Sequence, residues 1–443
     1  MLTSSVAFST VMMILAIGVL VWMSMKNIPM WLGALCATMI IGICTAEGPL
    51  GILFGTFSKG VSAMIGNLGI VYLMGMIFAD ALTNSGCGDK IGSFLMDKLS
   101  VKAAPFCIMI PTLLLAFGGI SSYPFIMAPI SFAVLKKANL PRSVGVVVLC
   151  GSYSLIGFLI PGTTLSTNVL ASNLFGTSLF AGADVGIIMF VVGLVLNVLY
   201  YIWLCNDYRK KGIGYTPTPL EEEASKHMSE SGGPSFIMAV IPLAIAFIGS
   251  FVFQLGLKLS SNMTAVCAQG LAVVFIYATN WKRMVAYDGN KLMQIANSIK
   301  SSFAPLMIAC FIMGFSMCLS QTAIYQQIAN ILTGLNGNPY VVTVIAIMIL
   351  ACIMAAPTTA ITTFAPGIGA ALIEKGADAG LIHRLAMAAG TTFDSMPWSV
   401  ALILNFQVMG VSLKEAYKNV IVVQIVITTI YTLVGLAYVL IFH

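Results

Sequence analysis

Four short polar stretches, each set inside an apolar run, hold the residues of this chain that could do chemistry. They read "GGISSYP" (118–124), "LIPGTTLSTN" (159–168), "AAPTTAITT" (355–363) and "GTTFDSMPWS" (390–399). Each joins Ser, Thr or Asn to a Gly or Pro that must turn the backbone. Hydroxyls, freed amides and half-helix N-termini suit the capture of a small anion. No Lys or Arg lies in any of the four, which favours a monocarboxylate over a di- or tricarboxylate. The last stretch alone carries a carboxyl group, Asp394, followed by the helix-breaking Pro397. A carboxylate at bilayer depth costs more charged than neutral, so Asp394 suits a group that takes up and releases a proton. Thr391, Thr392 and backbone carbonyls could instead make it a sodium ligand.

The elements that must position these stretches follow from composition. Hydrophobic residues make up 59% of the 443 and charged residues 8%, against about 25% charged in a soluble domain. The apolar runs are too long for barrel strands, so the chain is an all-α polytopic membrane protein. The first run, 6–25, lacks a basic flank and reads as a retained helix rather than a signal peptide. The cysteines scatter without a CxxC pair and, with three histidines and no His/Cys cluster, argue against a metal site. No nucleophile–base pair lies at membrane depth, so no enzyme is expected.

Spans are expected near 6–25, 29–46, 62–83, 143–176, 184–204, 236–257, 262–280, 302–322, 383–408 and 419–441. Two apolar regions, 104–135 and 340–373, have halves shorter than the ~20 residues a crossing needs, and read as re-entrant hairpins. With both termini outside, all Lys and Arg except Lys59, Lys258, Lys375 and Arg384 fall on the cytoplasmic side. The formal charge of +6 therefore reports orientation, not nucleic-acid binding. Asp80 is expected near the cytoplasmic end of its helix and solvated, Asp184 as an N-cap, and Glu374 and Asp378 in an exterior loop beside His383 and Arg384. Amphipathic stretches 48–60 and 284–300 read as interfacial arms.

A polar cytoplasmic linker, 206–234, separates two similar halves, 1–205 and 235–443. Ile91 and Leu95 match Ile328 and Leu332, 237 residues on, and "APISFAVLKK" at 128 matches "APGIGAALIE" at 365. Gly75 pairs with Gly314, and Pro161 with Pro397. Five crossings per half is odd, so the copies would be inverted repeats, each five transmembrane helices plus a re-entrant hairpin, with broken helices at the midplane.

The stretches "PGTTLSTNVLASNLFGTSLFAGADVG" (161–186) and "FDSMPWSVALILNFQVMGVSLKEAYKN" (393–419) resemble the gluconate:proton symporter (GntP-type) family, within the ion transporter superfamily. They look closest to its 3-hydroxybutyrate-permease-like branch. The layout covers nearly the whole chain. The resemblance implies proton-coupled uptake of a small hydroxy acid or sugar acid across the bacterial inner membrane. It also implies a scaffold with a moving transport domain and a homodimer. No cofactor is implied beyond the coupling proton, with sodium as the alternative. On this resemblance, substrate would meet Ser121 and Ser122 at one tip and Thr358 and Thr359 at the other. Thr163, Thr164 and Asn168 would serve from the first broken helix. Thr391, Thr392, Ser395 and Trp398 would serve from the second, with Asp394 as proton carrier. Pro161 and Pro397 would open the helices. A sodium-coupled carboxylate symporter, a cation/proton antiporter and a channel are the rival functions.

Overall fold

Most segments of this chain are apolar on every face, so caps, glycines and prolines rather than an amphipathic stripe set the helix boundaries. The computed structural model describes residues 5–443 apart from 27, 121, 218–220, 223–232, 285, 287–288 and 335–336. The first half runs α1 (Val6–Met25), α2 (Met30–Ile43), α3 (Gly48–Asn84), α4 (Cys87–Lys98), α5 (Ala104–Phe117), α6 (Tyr123–Ala138), α7 (Arg142–Leu159), α8 (Ser166–Phe175) and α9 (Ala183–Lys210). After the linker come α10 (Phe236–Phe251), α11 (Ser261–Asn280), α12 (Met293–Leu319), α13 (Ala323–Thr333), α14 (Pro339–Met354), α15 (Pro357–Phe364, continuing helically to residue 374), α16 (Ala379–Gly390), α17 (Val400–Val408) and α18 (Leu413–Phe442). The same order of long, short and broken helices thus recurs.

Side-chain caps fix many of the starts: Ser235 for α10, Ser260 for α11, Asn338 for α14, Asp378 for α16 and Ser399 for α17. A reciprocal Ser412–Glu415 box opens α18.

Among the described residues, eight helices are long and apolar enough to cross a bilayer. Their burial separates two zones. In α1 and α10 only 22% of the best window is buried, and Ile14, Trp22, Ile237 and Ile248 stand exposed on them. Such surfaces would drive association in water and suit hydrocarbon. In α7 the figure is 83%, which marks it as core. Around it pack α6, buried at thirteen of its sixteen residues, and α16, buried continuously from Leu381 to Gly390. The chain is a multi-pass helical membrane protein whose centre is made of the hairpin and broken-helix segments.

Several expectations are corrected here. Residues 48–60, expected as an arm, form the start of the continuous α3, which runs to Asn84 through two wide π-type turns. Its close crossing with α12 explains the continuity: a Cβ on Gly60 would lie 2.7 Å from the Cα of Gly314, and small residues are what permit such backbone contact. Residues 293–300 of the second expected arm are likewise the first turns of α12. Asp80 is not solvated; it is only partly exposed and engages Ser298 of α12. Asp184 is not an N-cap, a place held by Gly182, and its carboxylate pairs with His443 at 2.8 Å.

Candidate functional site

The first break follows from Pro161. Proline lacks an N–H and forces the preceding residue out of the helical region, and Ile160 is accordingly extended at ψ 128. The chain then reverses through Gly162 (φ +84) and re-enters helix at Ser166. The freed groups are answered locally. The Thr163 hydroxyl donates to the Gly157 carbonyl at 3.1 Å and accepts from the Leu165 amide at 3.3 Å. The Asn168 side-chain amide donates to the carbonyls of Thr163 (2.9 Å) and Leu179 (3.4 Å).

The second break opens earlier. Gly390 ends α16, and the hydroxyls of Thr391 and Thr392 bond back to the carbonyls of Ala388 and Ala389 at 2.8 and 2.7 Å. Ser399 restarts helix by capping α17. Between them Asp394 is 8% exposed and, among the described residues, accepts one hydrogen bond, from the Ser395 hydroxyl at 2.9 Å. Its surroundings are Tyr123 of α6, Cys150 of α7 and Tyr431 of α18. Tyr431 is tied to Thr391 by a 2.7 Å hydroxyl pair.

Both hairpin tips reach these breaks. Gly119, at φ +68, turns between α5 and α6, and a Cβ there would lie 2.5 Å from the Thr164 carbonyl oxygen. Only glycine tolerates both that conformation and that approach. Ala355, at φ +48, makes the corresponding turn between α14 and α15. There Pro357 packs on Gly390, and the Trp398 indole donates to the Ile353 carbonyl at 3.0 Å. Contacts that cross between the halves here include Thr167 to Thr358 at 2.9 Å and the Asn405 amide donating to the Tyr123 hydroxyl at 2.9 Å.

The four predicted stretches are therefore brought together, but their residues divide in use. Ser122 receives a hydrogen bond from Gln269 of α11. Thr163, Asn168, Thr391, Thr392 and Trp398 spend their donors on the protein itself. Among the described residues, the Thr164 hydroxyl is buried without a partner, and neither the Thr359 hydroxyl nor the second Asp394 oxygen has a hydrogen bond. Those groups are not spent on the protein's own hydrogen bonds. Ser121 lies outside the described residues. Pro161 is partly exposed and Pro397 buried, and each lies in a non-helical segment between two helices.

Two polar residues outside the four stretches belong to the same core: His383 and Arg384 are fully buried. The signal that could have placed them is Asp378, whose carboxylate accepts from the Leu381 amide at 2.8 Å and starts α16 at residue 379. That start puts both residues inside the helix. The absence of a fixed cation from the four stretches thus holds for those stretches but not for the surrounding core.

Polar, unwound breaks inside a shell of apolar-surfaced helices are an arrangement that membrane transporters use. The chain belongs to the GntP permease family, whose model matches residues 8–443. It is similar to the transporter YxjC of Bacillus subtilis, 20% identical over 477 residues that cover 96% of this chain and 99% of that one. It is also similar to a gluconate permease of Pseudomonas aeruginosa, 20% identical over 447 residues that cover 96% and 95%. The crystal structure of the Alcanivorax borkumensis YdaH transporter overlays with a TM-score of 0.38 at 12% identity, covering 89% of each chain.

Proposed function

We propose that this permease is a proton-coupled symporter for a small organic monocarboxylate, a hydroxy acid or gluconate-like sugar acid, working by elevator-type alternating access in the bacterial inner membrane. The observation that carries this is Asp394: a buried carboxyl group in an unwound segment, held by a single neighbour, Ser395. A group that must charge and discharge during a cycle needs few fixed partners, whereas a sodium site needs several oxygens around one ion. The back-bonded hydroxyls of Thr391 and Thr392 favour the proton over sodium.

The free Thr164 and Thr359 hydroxyls suit an anion that brings one charge. The named gluconate permease among the relatives supports an acid substrate. The recurring helix order supports inverted repeats, with α5–α6 and α14–α15 as re-entrant hairpins. Helices α5, α6 and α14, at 14 to 16 residues, reach about 21–24 Å, short of the ~30 Å hydrocarbon core. Both termini are placed in the periplasm, the linker in the cytoplasm, and two copies form the working dimer.

The test is uptake by proteoliposomes of labelled 3-hydroxybutyrate, gluconate, lactate, a short fatty acid and citrate, under an inward proton or an inward sodium gradient. Proton-driven accumulation of one monocarboxylate, lost in Asp394→Asn, is the expected result. Sodium-driven accumulation would make it a sodium symporter, and proton movement driven by sodium without any acid would make it an antiporter.

A further inference from the structure

The first break is held from the opposite half of the chain. His383 and Arg384 sit side by side on α16, both at 0% exposure. The Asn168 amide donates both ways to carbonyls, so its oxygen must accept, and the partner 3.0 Å away is the His383 Nε2. His383 therefore carries its proton on Nε2. In the neutral ring Nδ1 is then an acceptor, and it faces the Thr177 hydroxyl at 2.7 Å. Every polar atom in this chain of three side chains is matched by one arrangement of hydrogens.

Arg384 completes the hold. Its guanidinium donates to three backbone carbonyls: Nε to Ala181 at 3.0 Å, Nη1 to Phe158 at 3.2 Å and Nη2 to Leu179 at 3.1 Å. Phe158 belongs to the last turn of α7, where carbonyls lose their helical partners. Leu179 and Ala181 lie in the connection from α8 to α9. One side chain thus ties the end of α7 to the connection that follows α8. The fit is built in glycine: a Cβ on Gly182 would lie 2.6 Å from the Arg384 Cβ, and one on Gly186 would lie 2.3 Å from the Leu159 carbonyl.

We propose that His383 and Arg384 are positioning residues that lock the first break into a fixed shape, so that the Thr164 hydroxyl is presented to substrate in a constant place. The use made of that shape rests on the transport function proposed above; the lock itself does not. The Arg384 guanidinium makes its three hydrogen bonds with the protein's own carbonyls around the first break. Asp394 of the second break is hydrogen-bonded by Ser395. The charge that fixes one break is thus separate from the charge that works in the other.

Hydrogen exchange read by mass spectrometry on the full-length protein in nanodiscs tests the lock without any substrate. In Arg384→Lys and His383→Leu, amides in 158–168 and 176–182 should exchange about tenfold faster, with those in 391–399 unchanged. His383→Gln, whose amide nitrogen can still donate to Asn168, should stay near wild type. Unchanged exchange at the first break in both disruptive variants overturns the proposal. So does an equal rise in His383→Gln and His383→Leu, a pair that decides the matter if Arg384→Lys loosens the whole chain. In uptake of the acid panel above, His383→Leu should raise KM about tenfold at a nearly unchanged maximal rate. A fall in rate alone at unchanged KM would overturn the positioning role. If no acid enters even with wild type, the transport function has failed, and the exchange pattern still decides the lock.

Discussion

The first break covers residues 160–165 and the second 391–399, although the helices around them occupy equivalent places in the two halves. Phe158, which stands where Asp394 stands in the second half, is still inside α7. The difference begins at Gly390, whose counterpart is Ser154. Ser154 hydrogen-bonds to the Cys150 carbonyl at 3.2 Å and to Gln424 of α18 at 2.9 Å, and its helix continues. Gly390, followed by two threonines that cap their own helix end, lets go five residues sooner. The shorter break is then pinned by Arg384 and His383, while the longer one leaves its carboxyl group with a single hydrogen-bond partner. The first break is thus held by side chains of the other half, while the second is held mainly by its own residues.

Six substitutions would break or sharpen that contrast. Asp394→Asn should cut proton-driven uptake by about two orders of magnitude while moving unfolding stability by less than about 1 kcal/mol, since it removes a buried charge without changing shape. Uptake kinetics and thermal unfolding on the same preparation check both halves of that statement. Arg384→Met should do the reverse in kind, lowering stability by about 3 kcal/mol because three carbonyls lose their donor at once. A thermal midpoint equal to wild type would remove the rigid half of the comparison.

The tips offer a smaller contrast. Gly119→Ala meets both a left-handed backbone and the Thr164 carbonyl, and should destabilise by about 1–3 kcal/mol. Gly367→Ala, with open space around it on the helix that continues α15, should be neutral or slightly stabilising. Smallest is the hydroxyl pair between α8 and α15. Thr167→Val and Thr358→Val should each cost about 1 kcal/mol, and the double variant should fall short of their sum. Strict additivity would mean the 2.9 Å contact does not join the halves.

Much of this was open to reading from the residues. Pro161 and Pro397, with the hydroxyls around them, marked both breaks because a proline removes a donor wherever it falls. The first apolar helix, the linker and the four polar stretches are all local properties of the chain. Their energetic logic, that polar backbone at membrane depth must be sheltered by protein, needs no coordinates. What composition left undecided was which hydroxyls are spoken for. Asn168 and Thr164 sit four residues apart in one polar run, and nothing in their types says that the first is tied to His383 and the second is left without a partner.

His383 and Arg384 show the same limit from the other side. Beside Asp378 and Glu374 they read as an exterior edge, because an arginine next to carboxylates is normally solvated. Their burial depends on carbonyls at Phe158, Leu179 and Ala181, some two hundred residues earlier in the chain. The sequence by itself determined the class of protein, the places where its helices break and the one carboxyl group set among those breaks, since each follows from local propensity and the cost of polar groups in hydrocarbon. Only the tertiary structure decided which break is locked and which is free. Satisfying a buried donor is a matter of what lies within about 3 Å of it, and distance along the chain carries no record of that.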